Sequence, residues 1–152
     1  MAYLSLSTDL KNIIANTIAN KMAGTMGTGG TTVITIYNGA QPATADYATN
    51  GTMLCQIIKI GWGGTGNPGT IGATGGTANV SSAGGFTGTA STTGVASWAR
   101  METFGTGFTG SAATFRIDGD CGTAATCAFV INSTTITALG SVTLVSCPIL
   151  LP

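Results

Sequence analysis

The chain has 152 residues, with five Lys or Arg, five Asp or Glu, no His and 24 glycines. Charged residues make up 7% of it, whereas an average soluble domain has about 25%. The lack of histidine excludes a Ser–His–Asp or Cys–His catalytic system. The few basic residues are scattered, so we expect no nucleic-acid or membrane partner. This composition favours a protein that contacts other proteins over an enzyme, and we assign no catalytic residue and no cofactor.

The length suits a single domain that spans residues 1–152. Residues 1–8 are predicted to form an N-terminal arm. The start of the chain lacks the basic and long apolar regions of an export signal. No later run approaches the roughly 18 apolar residues that a membrane span needs. We therefore expect a soluble protein that is made in the cytoplasm.

Residues 9–23 have the periodicity of one short amphipathic helix. Ser7 or Thr8 can cap its start, and Gly24 is a natural stop. We expect this helix to plug the core of the domain, with packing on a neighbouring subunit as the alternative. Apolar or small side chains recur at helical spacing on one face, at Leu10, Ile13, Ile14, Thr17, Ile18 and Met22.

Most of the remaining chain has the pattern of strands and turns, in the regions 31–60 and 86–147. Several short strands without alternating helices predict a mainly β fold, an antiparallel β-sandwich of jelly-roll or immunoglobulin-like type. β-branched or aromatic runs bounded by Gly, Asn and Asp occur at 33–37, 53–60, 94–102, 113–117, 127–131 and 141–146, with shorter candidates at 3–6, 86–91 and 134–137.

The region 61–88 is rich in glycine and has no charged residue. Such a length is unusual for a bare loop in a compact domain. Two interpretations remain open: a loop that binds or clasps a subunit, or weak strands around residues 77–80.

The four cysteines lack the paired spacing of a zinc site, and no histidine completes one, so no metal site is predicted. A reducing cytosol favours free, buried thiols. Cys121 and Cys127 are the pair that a hairpin could bring together in a late disulfide.

Charged residues gather near one tryptophan in the predicted strands. Trp98, Arg100 and Glu102 alternate along one strand and therefore share a face. Arg100 and Glu102 can pair with each other or, across the sheet, with Arg116 and Asp118 on the next strand. We interpret these five residues as a structural cluster that fixes strand register.

Two blocks of the sequence share an order of strand and turn residues with known proteins. In the first block, residues 33–46 and 51–54, a strand ends in Tyr-x-Gly-x-x-Pro and is followed by a Gly-x-x-Leu strand. The second block comprises residues 88–100, 115–122, 129–136 and 140–146. The first block resembles the early part, and the second the C-terminal pattern, of a family of small tailed-bacteriophage virion proteins.

The resemblance implies a non-enzymatic component of the virion, a decoration or cement protein that binds the major capsid protein and copies of itself. The alternative is a tail or tail-tip module that binds a cell-surface glycan, for which Trp62 and Tyr37 could stack on a sugar ring, although each suits core or interface packing better. Candidate subunit contacts are Tyr3, Leu4, Trp62, Asn67, Pro68 and Ile71.

Overall fold

The computed structural model describes residues 7–22, 30–60, 71–74, 77–81, 86–106 and 115–150. These residues form a mainly β domain with one short helix, which confirms the predicted fold class. The elements are α1 (Thr8–Met22), β1 (Gly30–Tyr37), β2 (Met53–Ile60), β3 (Ile71–Thr74), β4 (Thr77–Ser81), β5 (Thr87–Thr89), β6 (Gly94–Val95), β7 (Trp98–Thr106), β8 (Phe115–Gly122), β9 (Phe129–Ile131), β10 (Thr135–Ile136) and β11 (Ser141–Leu150).

One large sheet has the strand order β2-β1-β7-β8-β9-β11-β4-β3, and β6 pairs with β10 in a separate small sheet. β5 joins β11 alongside Ser141, and an isolated bridge links Cys55 of β2 to Ala90. The sheet therefore curls into a nearly closed, barrel-like form that is compatible with the predicted sandwich.

β8 and β9 pair in parallel, whereas the other strand pairs of the described residues are antiparallel. Residues 123–128 turn the chain back beside the end of β8, and the Asp120 carboxylate accepts a hydrogen bond from the Ala128 N–H at 2.9 Å. Gly122 makes this close approach feasible, because a Cβ there would lie 2.6 Å from the Cys127 Sγ.

The region 61–88 is not a continuous loop, because β3 and β4 pair within it as an antiparallel hairpin. β4 pairs in turn with the C-terminal half of β11. Of the two interpretations of this glycine-rich region, the structure shows the weak strands around residues 77–80.

Strands β1, β2, β7 and β11 direct alternate side chains into one hydrophobic core, as the period of two requires. Phe86, Phe129 and Leu144 are among its fully buried members. The predicted strand 94–102 is interrupted, because Ala96 and Ser97 bond outside the ladder. Their N–H groups donate to the carbonyls of Thr134 and Tyr37.

The helix begins at Thr8, and Ser7 caps it, since the Ser7 Oγ accepts a hydrogen bond from the Leu10 N–H at 3.3 Å. Ala15 is fully buried, and Ile18 packs against the core, as expected for a plug. The predicted buried face is partly wrong, because Leu10, Ile13 and Thr17 are exposed.

The helix packs against β3, β4 and β7. On this helix Ala15 is fully buried, whereas Ile13 is 61% exposed. No helix in the described ranges has both the length and the apolar character needed to cross a membrane.

Candidate functional site

The charged residues of the chain lie in three places. These are helix α1, with Asp9, Lys11 and Lys21; the β1–β2 hairpin, with Asp46 and Lys59; and strands β7 and β8, with Arg100, Glu102, Arg116, Asp118 and Asp120. Residues 86–99 and 121–150 therefore contain no charged side chain. We call the exposed side chains of these two ranges the neutral surface.

The structure brings together the five residues of the predicted cluster. Opposite positions on β7 and β8 pair Arg100 with Asp118 and Glu102 with Arg116. Arg100 donates two hydrogen bonds to Asp118, from Nε to Oδ1 and from Nη2 to Oδ2, each at 2.7 Å. The Arg116 Nε donates to the Glu102 Oε1 at 3.1 Å in a more exposed pair.

Trp98 completes this cluster on the face of β7 that points away from the core. Its ring stacks on Tyr37 with the centroids 4.4 Å apart, and the Arg100 guanidinium lies 5.9 Å from the indole centroid. Tyr37 and Trp98 are both buried. Tyr37 therefore packs inside the domain and offers no platform for a sugar ring.

The cluster neutralises its own charge. The hydrogen bond that Arg100 donates to Asp118 raises the pKa of Arg100 above its ordinary value. This effect outweighs burial, which acts to lower the pKa. Both side chains of this pair are about 4% exposed. The arrangement fixes the register of β7 on β8 and presents little charge to a partner.

The four cysteines are free thiols in the structure, including Cys121 and Cys127, for which a disulfide was considered. Burial raises the pKa of the Cys121 and Cys147 thiols to about 12. Both are therefore protonated at neutral pH and behave as small apolar side chains. Within the described residues, no group of three or more His, Cys, Asp or Glu side chains could hold a metal ion.

A turn at residues 137–140 presents Leu139 to solvent as part of the neutral surface. Leu139 is 86% exposed and has a φ of 68°, in the left-handed region that favours Gly or Asn. Neighbouring backbone fixes this turn: the Leu139 N–H donates to the Ala90 carbonyl at 2.8 Å, and the Ala90 N–H donates to the Gly140 carbonyl at 2.9 Å.

A groove of about 190 Å³ lies directly beside this turn. Ile136 and Val142 supply its buried apolar lining, while Thr and Ser hydroxyls supply its polar lining. The complete lining is uncharged and consists of Asn132, Ser133, Thr135, Ile136, Thr137, Gly140, Ser141 and Val142.

A second part of the neutral surface is formed by the outward side of β5 and β11. Val145 is 43% exposed there, and the hydroxyls of Thr87 and Thr143 share a hydrogen bond at 3.1 Å. We call Thr87, Thr89, Thr143 and Val145 the β11 face. It combines hydroxyl groups with one exposed aliphatic side chain and has no charge.

Most of the predicted subunit contacts lie outside the described residues, namely Tyr3, Leu4, Trp62, Asn67 and Pro68. Ile71 is the first residue of β3, where it pairs with Val80. Sequence reasoning missed Leu139. The available signal was an apolar residue directly before Gly140, in a short turn between two strands.

Comparison with protein-family models, with curated proteins and with solved structures finds no match for this chain.

Proposed function

We propose that this chain is a non-enzymatic structural protein of a bacteriophage virion, a decoration or cement protein that binds the major capsid protein. The observation that carries the proposal is the neutral surface, which spans residues 86–99 and 121–150 without a charge. The resemblance of the two sequence blocks to phage virion proteins supplies the choice of particle.

A neutral surface suits permanent packing against another protein. The interior of protein interfaces is depleted in charged residues, because desolvating a charge opposes association. Burial of apolar surface contributes about 25 cal/mol per Å². Weak contacts can still hold such a protein on a capsid, because a copy that engages several sites at once, directly or through its neighbours, dissociates less readily.

In this proposal the β11 face is the docking surface for the capsid. Val145 provides aliphatic area, and Thr87 and Thr143 provide hydroxyls that can bond to a partner's backbone. Since no charge takes part, binding should depend little on ionic strength, unlike association that is steered by charge.

The test is to delete the gene and measure how well the heads resist heat, then add back the purified chain. We expect deleted heads to be less resistant and the wild-type chain to restore them. Val145→Lys, which places a charge on the β11 face, should fail to restore them. Ile58→Lys is the matched control, because Ile58 is an exposed strand aliphatic (45%) beside Lys59 and outside the neutral surface.

Deleted heads with unchanged heat resistance would contradict a cement role. Equal restoration by the Val145→Lys and Ile58→Lys variants would instead contradict the assignment of the β11 face as the docking surface. Both variants must first show wild-type unfolding transitions, so that failure to restore the heads reports binding.

The second candidate function is a tail or tail-tip module that binds a cell-surface glycan. The hydroxyl-lined, uncharged groove beside residues 137–140 favours it. The burial of Tyr37 removes one of the two aromatic side chains suggested for sugar stacking. Location in the particle separates the two candidates, since a glycan-binding module belongs at the tail.

A further inference from the structure

Leu139 combines two features that do not stabilise an isolated domain. It is 86% exposed, so its apolar side chain gains almost nothing from burial within the chain. Its φ of 68° brings the Cβ close to backbone and strains a leucine, whereas Gly has no Cβ and the short polar side chain of Asn can compensate by local hydrogen bonding. An exposed leucine in a strained turn therefore suggests a contact beyond the chain itself.

The turn holds Leu139 in a fixed position. The backbone of Ala90 bonds to the turn on both sides of the leucine, through the Leu139 N–H and the Gly140 carbonyl. The Ala138 N–H donates to the Thr93 Oγ1 at 2.9 Å, and the Gly140 N–H donates to the Thr137 carbonyl at 2.8 Å. Leu139 is thus a preorganised knob, which loses little backbone entropy on binding.

The groove beside Leu139 has the size and chemistry of a socket for such a knob. Its volume is about 190 Å³, and Ile136 and Val142 form its apolar lining. A cavity of about 150 Å³ holds a benzene molecule, so this groove accommodates the isobutyl group of a leucine. Thr137 and Ser141 place hydroxyls at the same groove, where they can bond to backbone groups that accompany the inserted side chain.

We propose that two copies of this chain pair about a two-fold axis, with Leu139 of each copy inserted in the groove of the other. A two-fold interface uses the same patch on both subunits, and therefore requires knob and socket to lie side by side on one surface. Thr137 and Gly140 line the groove and flank Leu139, which satisfies this requirement. The complete patch is uncharged, so two copies meet without like-charge repulsion.

This pairing centres on Leu139 and the groove beside it, whereas the proposed capsid contact centres on Val145, Thr87 and Thr143. Its test uses the purified full chain in solution, whereas the test of the proposed function uses phage heads. Either proposal can therefore fail while the other stands.

The test is sedimentation equilibrium over a dilution series. Wild type should show a reversible monomer–dimer equilibrium. Leu139→Asn removes both knobs of a dimer and should weaken pairing about a hundredfold, since the loss of each buried leucine weakens binding about tenfold. The same variant should melt at a higher temperature as a monomer, because Asn tolerates the left-handed conformation. Ile58→Thr is the control, which removes an exposed aliphatic side chain elsewhere and should leave pairing unchanged.

A second variant blocks the socket and identifies the two-fold geometry. Ser141→Arg fills the groove and should abolish pairing of that variant with itself. A mixture of the Leu139→Asn and Ser141→Arg chains should form heterodimers, because the first retains an open groove and the second retains its leucine. If the chains instead associated through a nonspecific apolar surface, mixing the two variants would not restore dimers.

The proposal is overturned if wild type remains monomeric up to its solubility limit, or if Leu139→Asn raises the melting temperature and leaves dimerisation unchanged. A titration with neutral oligosaccharide supplies another contradictory outcome. If the sugar binds to monomers and Ser141→Arg removes that binding without any wild-type dimer, the groove is a glycan site.

Discussion

Arg100 and Asp118 form a two-bond ion pair across strands β7 and β8, with both bonds at 2.7 Å and both side chains about 4% exposed. Two register positions away, Arg116 and Glu102 form a looser pair, in which the side chains are 35% and 20% exposed. The same two strands thus contain two arginine–carboxylate ion pairs, one buried and one partly exposed.

Replacing the carboxylate by an amide should lower the free energy of unfolding by different amounts in these two pairs. Asp118→Asn keeps the shape of the side chain but leaves the buried Arg100 charge without its counter-charge, so it should lower the free energy of unfolding by about 3 kcal/mol. Glu102→Gln should lower it by less than about 1 kcal/mol, because solvent compensates a half-exposed pair. Urea denaturation of both variants at pH 7 measures the difference. Equal losses would contradict the structural role of the buried pair.

The buried thiols predict a loss of stability at alkaline pH. Burial raises the pKa of Cys121 and Cys147 from 9.0 to about 12, so between these values the unfolded chain loses protons that the folded chain keeps. The stabilisation is complete below pH 9 and should fall by about 1.4 kcal/mol per pH unit for each thiol as the pH rises towards 12. The slope of unfolding free energy against pH should be shallower in Cys147→Ala. An unchanged slope in that variant would contradict this assignment.

Thiol labelling should distinguish Cys127 from the other three cysteines. Cys127 is half-buried, whereas Cys55, Cys121 and Cys147 are buried. Reaction of the folded protein with a maleimide at neutral pH should modify Cys127 first, and the others should react after denaturation, which mass spectrometry of the peptides detects. A native mass lower by two hydrogens, with Cys121 and Cys127 both unreactive, would show a disulfide instead of free thiols.

Two glycines in the β1–β2 hairpin allow a matched test of backbone strain and steric overlap. Gly39 and Gly51 both have a φ of 88°. A Cβ at Gly51 would overlap the Asn38 carbonyl oxygen, whereas at Gly39 the nearest atom is the Gly51 Cα at 3.4 Å. Gly39→Ala should therefore cost about 1–2 kcal/mol from the backbone alone, and Gly51→Ala about 1–3 kcal/mol more. Denaturant unfolding measures both, and equal costs would contradict the overlap.

The sequence predicts features that local periodicity determines. β2 begins and ends where its apolar run does, at Met53 and Ile60, and the helix boundaries agree within one residue. The spacing of Arg100 and Asp118 allowed their pairing to be proposed, because a period of two places them on the same face of neighbouring strands.

Features that depend on tertiary packing were not accessible from the sequence. The parallel pairing of β9 depends on the Asp120–Ala128 hydrogen bond and on the missing Cβ of Gly122, which a linear pattern does not reveal. The orientation of α1, which buries Ala15 and exposes Ile13, is likewise decided by packing against distant strands. Leu139 has no periodic signal, because its role follows from a left-handed turn and from the groove beside it.

The most direct test of the central claim is the location of the chain in the native particle, measured by electron microscopy of phage labelled with an antibody against it. A decoration protein that docks through the β11 face should be found in regular positions over the whole head, and labelling should persist after washing in high salt. Label confined to the tail tip, or absent from purified particles, would contradict the account.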